Sequence, residues 1–119
     1  MKNACFVREN GKEIFELKFF YDDMSEALPL IEECARQVRQ RPLDSVLTMT
    51  IIGKGRFTPE LVEKLKQLTK GNGPHVHRAA IVGVTGLYKV VISAITIFSK
   101  RDFKLFDTRE AAIRYLTSG

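Results

Sequence analysis

The feature that most constrains this chain is a repeated unit in which a short apolar segment runs directly into a helix start. Residues 46–52 form such a segment ahead of Thr58 and Pro59, and residues 78–84 form a second one ahead of residues 87–99. A strand that is followed by a helix and another strand predicts parallel neighbours joined by crossover connections. Neither segment shows clean alternation of apolar and polar residues, which is typical of strands covered on both faces. The sequence therefore predicts an α/β fold with a mostly parallel sheet.

The first 19 residues predict an antiparallel hairpin in front of this repeat. Residues 4–9 and 13–19 are strand-like, and Asn10 and Gly11 between them readily adopt the positive φ that a tight turn requires. In the second of these segments apolar residues alternate with charged ones, which indicates one packed face and one wetter face. The hairpin adds one antiparallel pair to the sheet.

Helix start signals divide the rest of the chain. Capping boxes at 23–26 and 107–110 predict helices over 24–38 and after 107, while Thr58 and Pro59 are typical of an N-cap and a first helical residue. Residues 87–99 are rich in β-branched side chains, but their length favours a helix. With a last strand at 103–106, the predicted order is β-β-α-β-α-β-α-β-α. A single mixed α/β domain, its sheet flanked by helices, accounts for residues 1–119.

Composition excludes several classes of protein. The chain has 119 residues, 45% of them hydrophobic and 28% charged, which is ordinary for one folded domain and excludes a disordered chain. No apolar run approaches the roughly 20 residues that span a bilayer, and we expect no transmembrane segment and no signal peptide. Two cysteines are too few for a disulfide framework, so we expect a cytoplasmic protein. The net charge is +5, but basic and acidic residues are interspersed, so we expect no nucleic-acid partner.

Two loops are candidates for binding a small anion. In an open parallel sheet, ligands bind outside the carboxyl ends of the strands, where residues 53–58 and 83–89 are expected to meet. Each loop opens a helix whose first amides favour an anion. Neither loop matches the GxxxxGK[ST] or GxGxxG pattern, and the alternative is that its glycines make turns, its threonines cap helices and its lysines face solvent. The candidate ligand-binding residues are Lys54, Arg56, Thr58, Thr85, Gly86 and Lys89.

No constellation for catalysis or for a metal stands out. His75 and His77 would lie on one face of a strand, but two ligands without a third do not make a stable metal site. Cys34 belongs to an apolar helix stripe, which is typical of a core cysteine. No serine or cysteine has the sequence context of a nucleophile with a histidine and a carboxylate. We expect a protein without enzymatic activity, metal or cofactor.

The helix predicted over 87–99 suggests an interaction surface. If one stripe of this helix (Leu87, Val91, Ala94 and Phe98) faces the sheet, a second apolar flank remains, made of Tyr88, Ile92 and Ile95. A helix that is apolar around much of its girth is either covered by other elements or docks onto a partner. Tyr88, Ile92 and Ile95 are therefore the candidate interface residues.

Four segments match the pattern of a known family in order and spacing: SVLTMT (45–50), RFTPE (56–60), AIVGVTG (80–86) and LFDTREAA (105–112). The pattern runs from the hairpin to Leu116. In these segments the chain resembles the SpoIIAA-like branch of the STAS domains, small α/β proteins related to anti-sigma-factor antagonists. The resemblance implies a mixed sheet flanked by helices and a non-enzymatic role in protein interaction or ligand sensing.

The resemblance also bears on phosphorylation and on lipids. STAS antagonists are switched by phosphorylation of a serine or threonine in an Asp-Ser-Ser/Thr-Gly-like loop. Residues 55–59 take that place here without the acidic residue or the paired serine, and Thr58 is the candidate phospho-acceptor. Some SpoIIAA-like proteins resemble lipid-binding domains of the Sec14 class. We therefore expect a STAS-type regulatory or interaction module that binds a protein partner or itself, with a carrier or sensor of a small anionic ligand or lipid as the alternative.

Overall fold

Five strands and four α-helices alternate along the chain in the computed structural model. It describes residues 2–19, 24–53, 58–84, 87–99 and 103–118, without the side chains of residues 24, 87, 88, 98 and 99. A one-turn 3₁₀ helix, Gly73–His75, follows the second α-helix. The elements are β1 (Ala4–Glu9), β2 (Lys12–Phe19), α1 (Met24–Val38), β3 (Val46–Ile52), α2 (Pro59–Asn72), β4 (Val76–Val82), α3 (Leu87–Ser99), β5 (Lys104–Phe106) and α4 (Arg109–Thr117).

The strands form one sheet in the order β1-β2-β3-β4-β5. β1 and β2 are antiparallel and meet at a tight turn in which Asn10 has φ 52° and Gly11 has φ 80°. The other three neighbouring pairs are parallel. The predicted hairpin and the predicted mixed, mostly parallel α/β sheet with flanking helices are confirmed.

The sheet divides the apolar core into two parts. Each parallel strand lies beside the strand that precedes it in the chain, so all the crossovers move along the sheet in the same direction. Since crossovers are right-handed, their helices all lie on one face of the sheet. Buried side chains of α1, α2 and α3 accordingly share one cluster with Phe15, Leu17 and Ile81 of the sheet. α4 alone packs on the other face, against Ile14 and Met49. None of the described helices combines the length and the apolar character needed to cross a membrane.

Several predicted boundaries were wrong by one or two residues. β2 begins at Lys12 and β5 at Lys104, and strand pairing or capping explains two further differences. β4 begins at Val76 and ends at Val82 rather than spanning 78–84, because Val76 already pairs with Val46 of β3. α4 is capped by Thr108 rather than Asp107, since the Thr108 hydroxyl accepts a hydrogen bond from the amide of Ala111 at 3.2 Å. The β-branched segment is the helix α3, as predicted.

A buried ion pair fastens the start of α4 to the sheet. The Glu16 carboxylate on β2 is only 6% exposed, and it accepts a hydrogen bond from Nε of Arg109 at 2.7 Å. This bond raises the pKa of the Arg109 guanidinium. Lys18 lies 3.7 Å from the other Glu16 oxygen, and Glu9 lies 3.4 Å from Arg109. A carboxylate buried to this extent needs such partners, because desolvation without them is costly.

Removing the guanidinium should destabilise the fold. In Arg109→Ala, Glu16 keeps only the more distant Lys18, and we expect the free energy of unfolding to fall by about 2 kcal/mol, as for a buried charge that loses its main partner. Chemical denaturation measures this loss. Arg36→Ala is the matched control, because Arg36 is 58% exposed and pairs with Glu33 along the surface of α1, so its loss should change stability far less. Equal losses in the two variants would contradict a fastening role for Glu16 and Arg109.

Candidate functional site

The loops predicted to bind an anion lie mostly outside the described residues. Lys54, Arg56, Thr85 and Gly86 are among the residues that the structure does not describe, and the ligand site predicted there stays a prediction. Thr58 is the N-cap of α2, as predicted: its hydroxyl accepts a hydrogen bond from the amide of Leu61 at 3.2 Å. Lys89 is exposed in the first turn of α3.

The predicted interface on α3 requires a correction. Ile92 and Ile95, expected on an open apolar flank, are buried at 7% and 3% exposure in the cluster shared with α1, α2 and the sheet. Ala94, expected to face the sheet, is exposed. The buried stripe is thus displaced by one residue, about 100° around the helix axis. Periodicity did not fix this rotation because almost every position of α3 is apolar. The side chain of Tyr88 lies outside the described part.

A different face of α3 is open. Val90 is 69% exposed and Ile97 is 78% exposed, and they lie two turns apart on the same side of the helix. Ser93 and Ala94, which are also exposed, lie between them. We call these four residues the outer face of α3. It presents apolar atoms to solvent without a covering element among the described residues.

The two histidines do not share a strand face. His75 lies in the 3₁₀ turn, with Nδ1 2.8 Å from the carbonyl oxygen of Arg41, and His77 lies in β4, with Nδ1 3.1 Å from a carboxylate oxygen of Asp44. Each ring is held by a different neighbour, so the predicted pairing at i and i+2 was wrong. Within the described ranges, no three histidine, cysteine, aspartate or glutamate side chains come together as metal ligands.

A cavity that sequence analysis did not predict lies between α2 and the sheet. Its volume is about 390 Å³, which falls in the range of small-molecule sites. Its mouth is at the edge of β4: β5 pairs only with Ala80, Ile81 and Val82, so the described residues place no strand beside the first half of β4. The cavity is lined by Leu17, Cys34, Thr48, Thr50, Leu68, Thr69, Asn72, Gly73, Val76, His77, Arg78, Ala79, Phe103, Lys104 and Tyr115. We call it the α2 cavity.

Two threonines of the central strand β3 lie on the floor of the α2 cavity. Thr48 pairs with Ala79 and Thr50 pairs with Ile81, so both side chains lie on the face that carries α1, α2 and α3. Both are half-buried, and neither hydroxyl has a hydrogen-bond partner among the described residues. Central strands of parallel sheets are normally apolar on both faces. Two free hydroxyls in this position therefore provide donors and acceptors to whatever occupies the cavity.

The wall of the α2 cavity contains a polar side chain that is held in place. Asn72, at the end of α2, is 5% exposed; its Oδ1 accepts from Nε of Arg39 at 2.9 Å, and its Nδ2 donates to Sγ of Cys34 at 3.5 Å. One amide hydrogen of Asn72 is left for a ligand. Burial raises the pKa of the Cys34 thiol to about 12, with Asn72 and Arg39 acting in the opposite direction. Cys34 is thus a protonated core residue, as its helix stripe predicted.

A second concavity, of about 470 Å³, lies at the amino ends of β2 and β3. Two of the three lysine and arginine side chains that line it are already engaged within the protein. Arg41 pairs with Glu13 at 3.0 Å and lies 3.9 Å from the centre of the Phe6 ring, while Arg8 donates to the carbonyl of Gly11 at 3.0 Å. Glu13 neutralises Arg41, and the hydroxyl of Ser45 in this lining donates to the carbonyl of Pro42. This concavity is therefore a weaker candidate than the α2 cavity with its free hydroxyls.

The cavity could in part have been recognised from the sequence. Thr48 and Thr50 are spaced by two in VLTMTII, so a strand necessarily places them on one face. Two polar residues on one face of a central strand are a signal of an open space or a bound group. That the space lies below α2 follows only from the tertiary packing.

Alkylation tests whether the thiol of Cys34, in the wall of the α2 cavity, is buried and protonated. Because the thiolate is the reactive form, we expect iodoacetamide at pH 8 to modify Cys5, which is half-buried, and to leave Cys34 unmodified in the folded protein. Both should react in denaturant. Intact and peptide mass spectrometry measure the two positions separately, and equal labelling of Cys34 and Cys5 in the folded state would contradict the buried, protonated thiol.

No family model matches this chain, and no curated protein and no solved structure matches it at a significant level. Function is therefore inferred from the geometry and chemistry of the site.

Proposed function

We propose that this protein is a cytoplasmic, non-enzymatic regulatory module of the STAS type that responds to a small ligand bound in the α2 cavity. One observation carries the proposal: the hydroxyls of Thr48 and Thr50 lie on the cavity floor without a partner among the described residues. Neither hydroxyl oxygen is sealed from solvent, so a molecule that enters the cavity can reach both of them.

The chemistry of the lining supports binding without catalysis. No aspartate or glutamate is among the lining residues, Cys34 keeps its proton, and the ring of His77 is engaged with Asp44. A nucleophile beside a base, or a pair of carboxylates, is what hydrolysis or transfer would require. The lining instead combines apolar side chains with polar groups in about equal number, which suits a ligand that has both kinds of surface.

The STAS assignment is supported by the four sequence segments described above and by a hairpin followed by strand–helix units. The free thiols of Cys5 and Cys34 fit a reducing compartment. Thr58 remains the candidate phospho-acceptor of this assignment, and its hydroxyl oxygen already caps α2.

Removing the two hydroxyls should separate binding from stability. In Thr48→Val/Thr50→Val the side chains keep nearly the same shape, so we expect the ligand-free protein to be as stable as wild type or more stable by about 1 kcal/mol. Native mass spectrometry of gently purified protein should then show a retained small molecule on wild type and less or none on the variant.

Thr96→Val is the matched control for this experiment. Thr96 lies on α3 outside the cavity lining, and its hydroxyl donates to the carbonyl of Ile92 at 2.9 Å. This variant should keep ligand retention. The proposal would be contradicted if the wild-type protein retains no small molecule and if small amphiphiles also leave the NMR chemical shifts of the cavity residues unchanged.

A second candidate function, association with another copy of the chain, is favoured by the outer face of α3. Val90 and Ile97 are the two large exposed residues there, and the small side chains of Ser93 and Ala94 between them allow another helix to approach closely. The same face on two copies can pair about a two-fold axis. This proposal replaces the flank containing Ile92 and Ile95, where a charge would disrupt the core.

A charge on this face tests self-association. If wild type is a dimer by light scattering, Val90→Glu/Ile97→Glu should give folded monomers, because a pair of buried glutamates opposes the contact. Leu43→Glu, at another exposed apolar residue (69%), should leave the mass unchanged. An unchanged dimer in the α3 variant would assign the contact to another surface.

A further inference from the structure

We infer that the ligand of the α2 cavity is a single-chain amphiphile with an anionic headgroup, held with its head at the β4 edge and its chain between α2 and α3. This inference rests on the proposed function and assigns the ligand's chemical class. It concerns a site away from the carboxyl-end loops that the sequence indicated.

The positive charge at the mouth of the cavity favours an anionic headgroup in the ligand. His77, Arg78 and Lys104 are the ionisable basic residues of the lining, which has no carboxylate. Lys104 is exposed and has no ion-pair partner among the described residues. Arg78 donates to the carbonyl oxygens of Tyr115 at 2.8 Å and Ser118 at 2.7 Å, which orient its guanidinium without neutralising it. His77 already contacts the carboxylate of Asp44, so Arg78 and Lys104 are the uncompensated cations at the mouth, and they favour an anion.

The inner end of the cavity favours a hydrocarbon chain in the ligand. A smaller void of about 50 Å³ adjoins it and shares Leu17, Thr50, Leu68, Thr69 and Phe103 with its lining. The remaining residues of this void are all apolar: Phe19, Ile52, Leu65, Ile81, Ile92 and Ile95. An apolar void between packed helices is filled favourably by a hydrocarbon chain and not by water.

The strand register sets the order of these groups along the cavity. His77 lies near the amino end of β4, Thr48 is level with Ala79, and Thr50 is level with Ile81. Ile52 of the apolar void lies two residues farther along β3. Lys104 of β5 is level with Ala80, between the two threonines. Polarity therefore decreases from the charged groups and hydroxyls to hydrocarbon. The hydroxyls are placed to donate to oxygens where a headgroup joins its chain.

The test compares three probes with the same chain: octanoate, octyl phosphate and the neutral octanol. We expect wild type to bind at least one of the anions at least tenfold more tightly than octanol in NMR or calorimetric titrations. Added salt should weaken anion binding but not octanol binding. The two anions distinguish a carboxylate ligand from a phosphate ligand, and either preference supports the inference.

Two lysine variants locate the headgroup. Lys104→Gln should weaken anion binding about threefold, the scale of one partly exposed ion pair, and leave octanol binding unchanged. Lys64→Gln, at an exposed lysine of α2 outside the cavity lining, is the matched control and should change neither. Lys89→Gln tests the competing site at the carboxyl-end loops. If Lys89→Gln weakens anion binding and Lys104→Gln does not, the head lies at the carboxyl-end loops and the inference is overturned.

The remaining outcomes separate this inference from the function on which it rests. Equal affinity for octanol and both anions, with no effect of Lys104→Gln, overturns the anionic class while the cavity remains a binding site. If no probe shifts the cavity resonances and Thr48→Val/Thr50→Val changes nothing, both the ligand class and the binding function are overturned.

Discussion

The parallel pairing of β2, β3 and β4 is the constraint on which the rest of this structure depends. Each of these strands lies beside the previous one, so α1, α2 and α3 return across the same face and share one core. The other face is left to α4, a helix of nine residues. A single short helix covers less of a five-stranded sheet than three helices do. A salt bridge from its first residue to the buried Glu16 joins the start of α4 to the sheet, in addition to the apolar contacts of this helix.

The α2 cavity is a consequence of the same topology. A helical layer closes over a sheet where side chains from both layers meet, and Ile92 and Ile95 close it near the carboxyl ends of the strands. Toward the amino end β5 is absent beside β4, and β3 presents threonines instead of larger apolar residues. The space left over is therefore lined by polar groups on one side and by α2 on the other. This arrangement connects the fold to the binding function that we propose.

The prediction of local structure succeeded where a physical signal acts over a few residues. Asn10 and Gly11 specify their turn by their tolerance of positive φ, and Thr58 specifies a helix start by capping it. It failed where the signal was ambiguous or distant. The rotation of α3 was misassigned by one residue because its sequence is apolar on nearly all sides, and β4 began two residues early because its pairing with β3 outweighs its polar start. The α2 cavity was not predicted for a related reason, since glycine-rich loops are visible in a sequence and a gap between layers is not. The ligand site predicted at those loops stays a prediction.

The sequence by itself determined the element types, their order and the class of the sheet, because caps, turns and hydrophobic periodicity are local properties of neighbouring residues. It also determined that Thr48 and Thr50 share a face, since a strand alternates its side chains. Only the tertiary structure decided that this face lies under α2, that Arg109 reaches the buried Glu16 and that Val90 and Ile97 remain in solvent. Those contacts join residues far apart in the chain, and their geometry depends on how complete layers pack against one another.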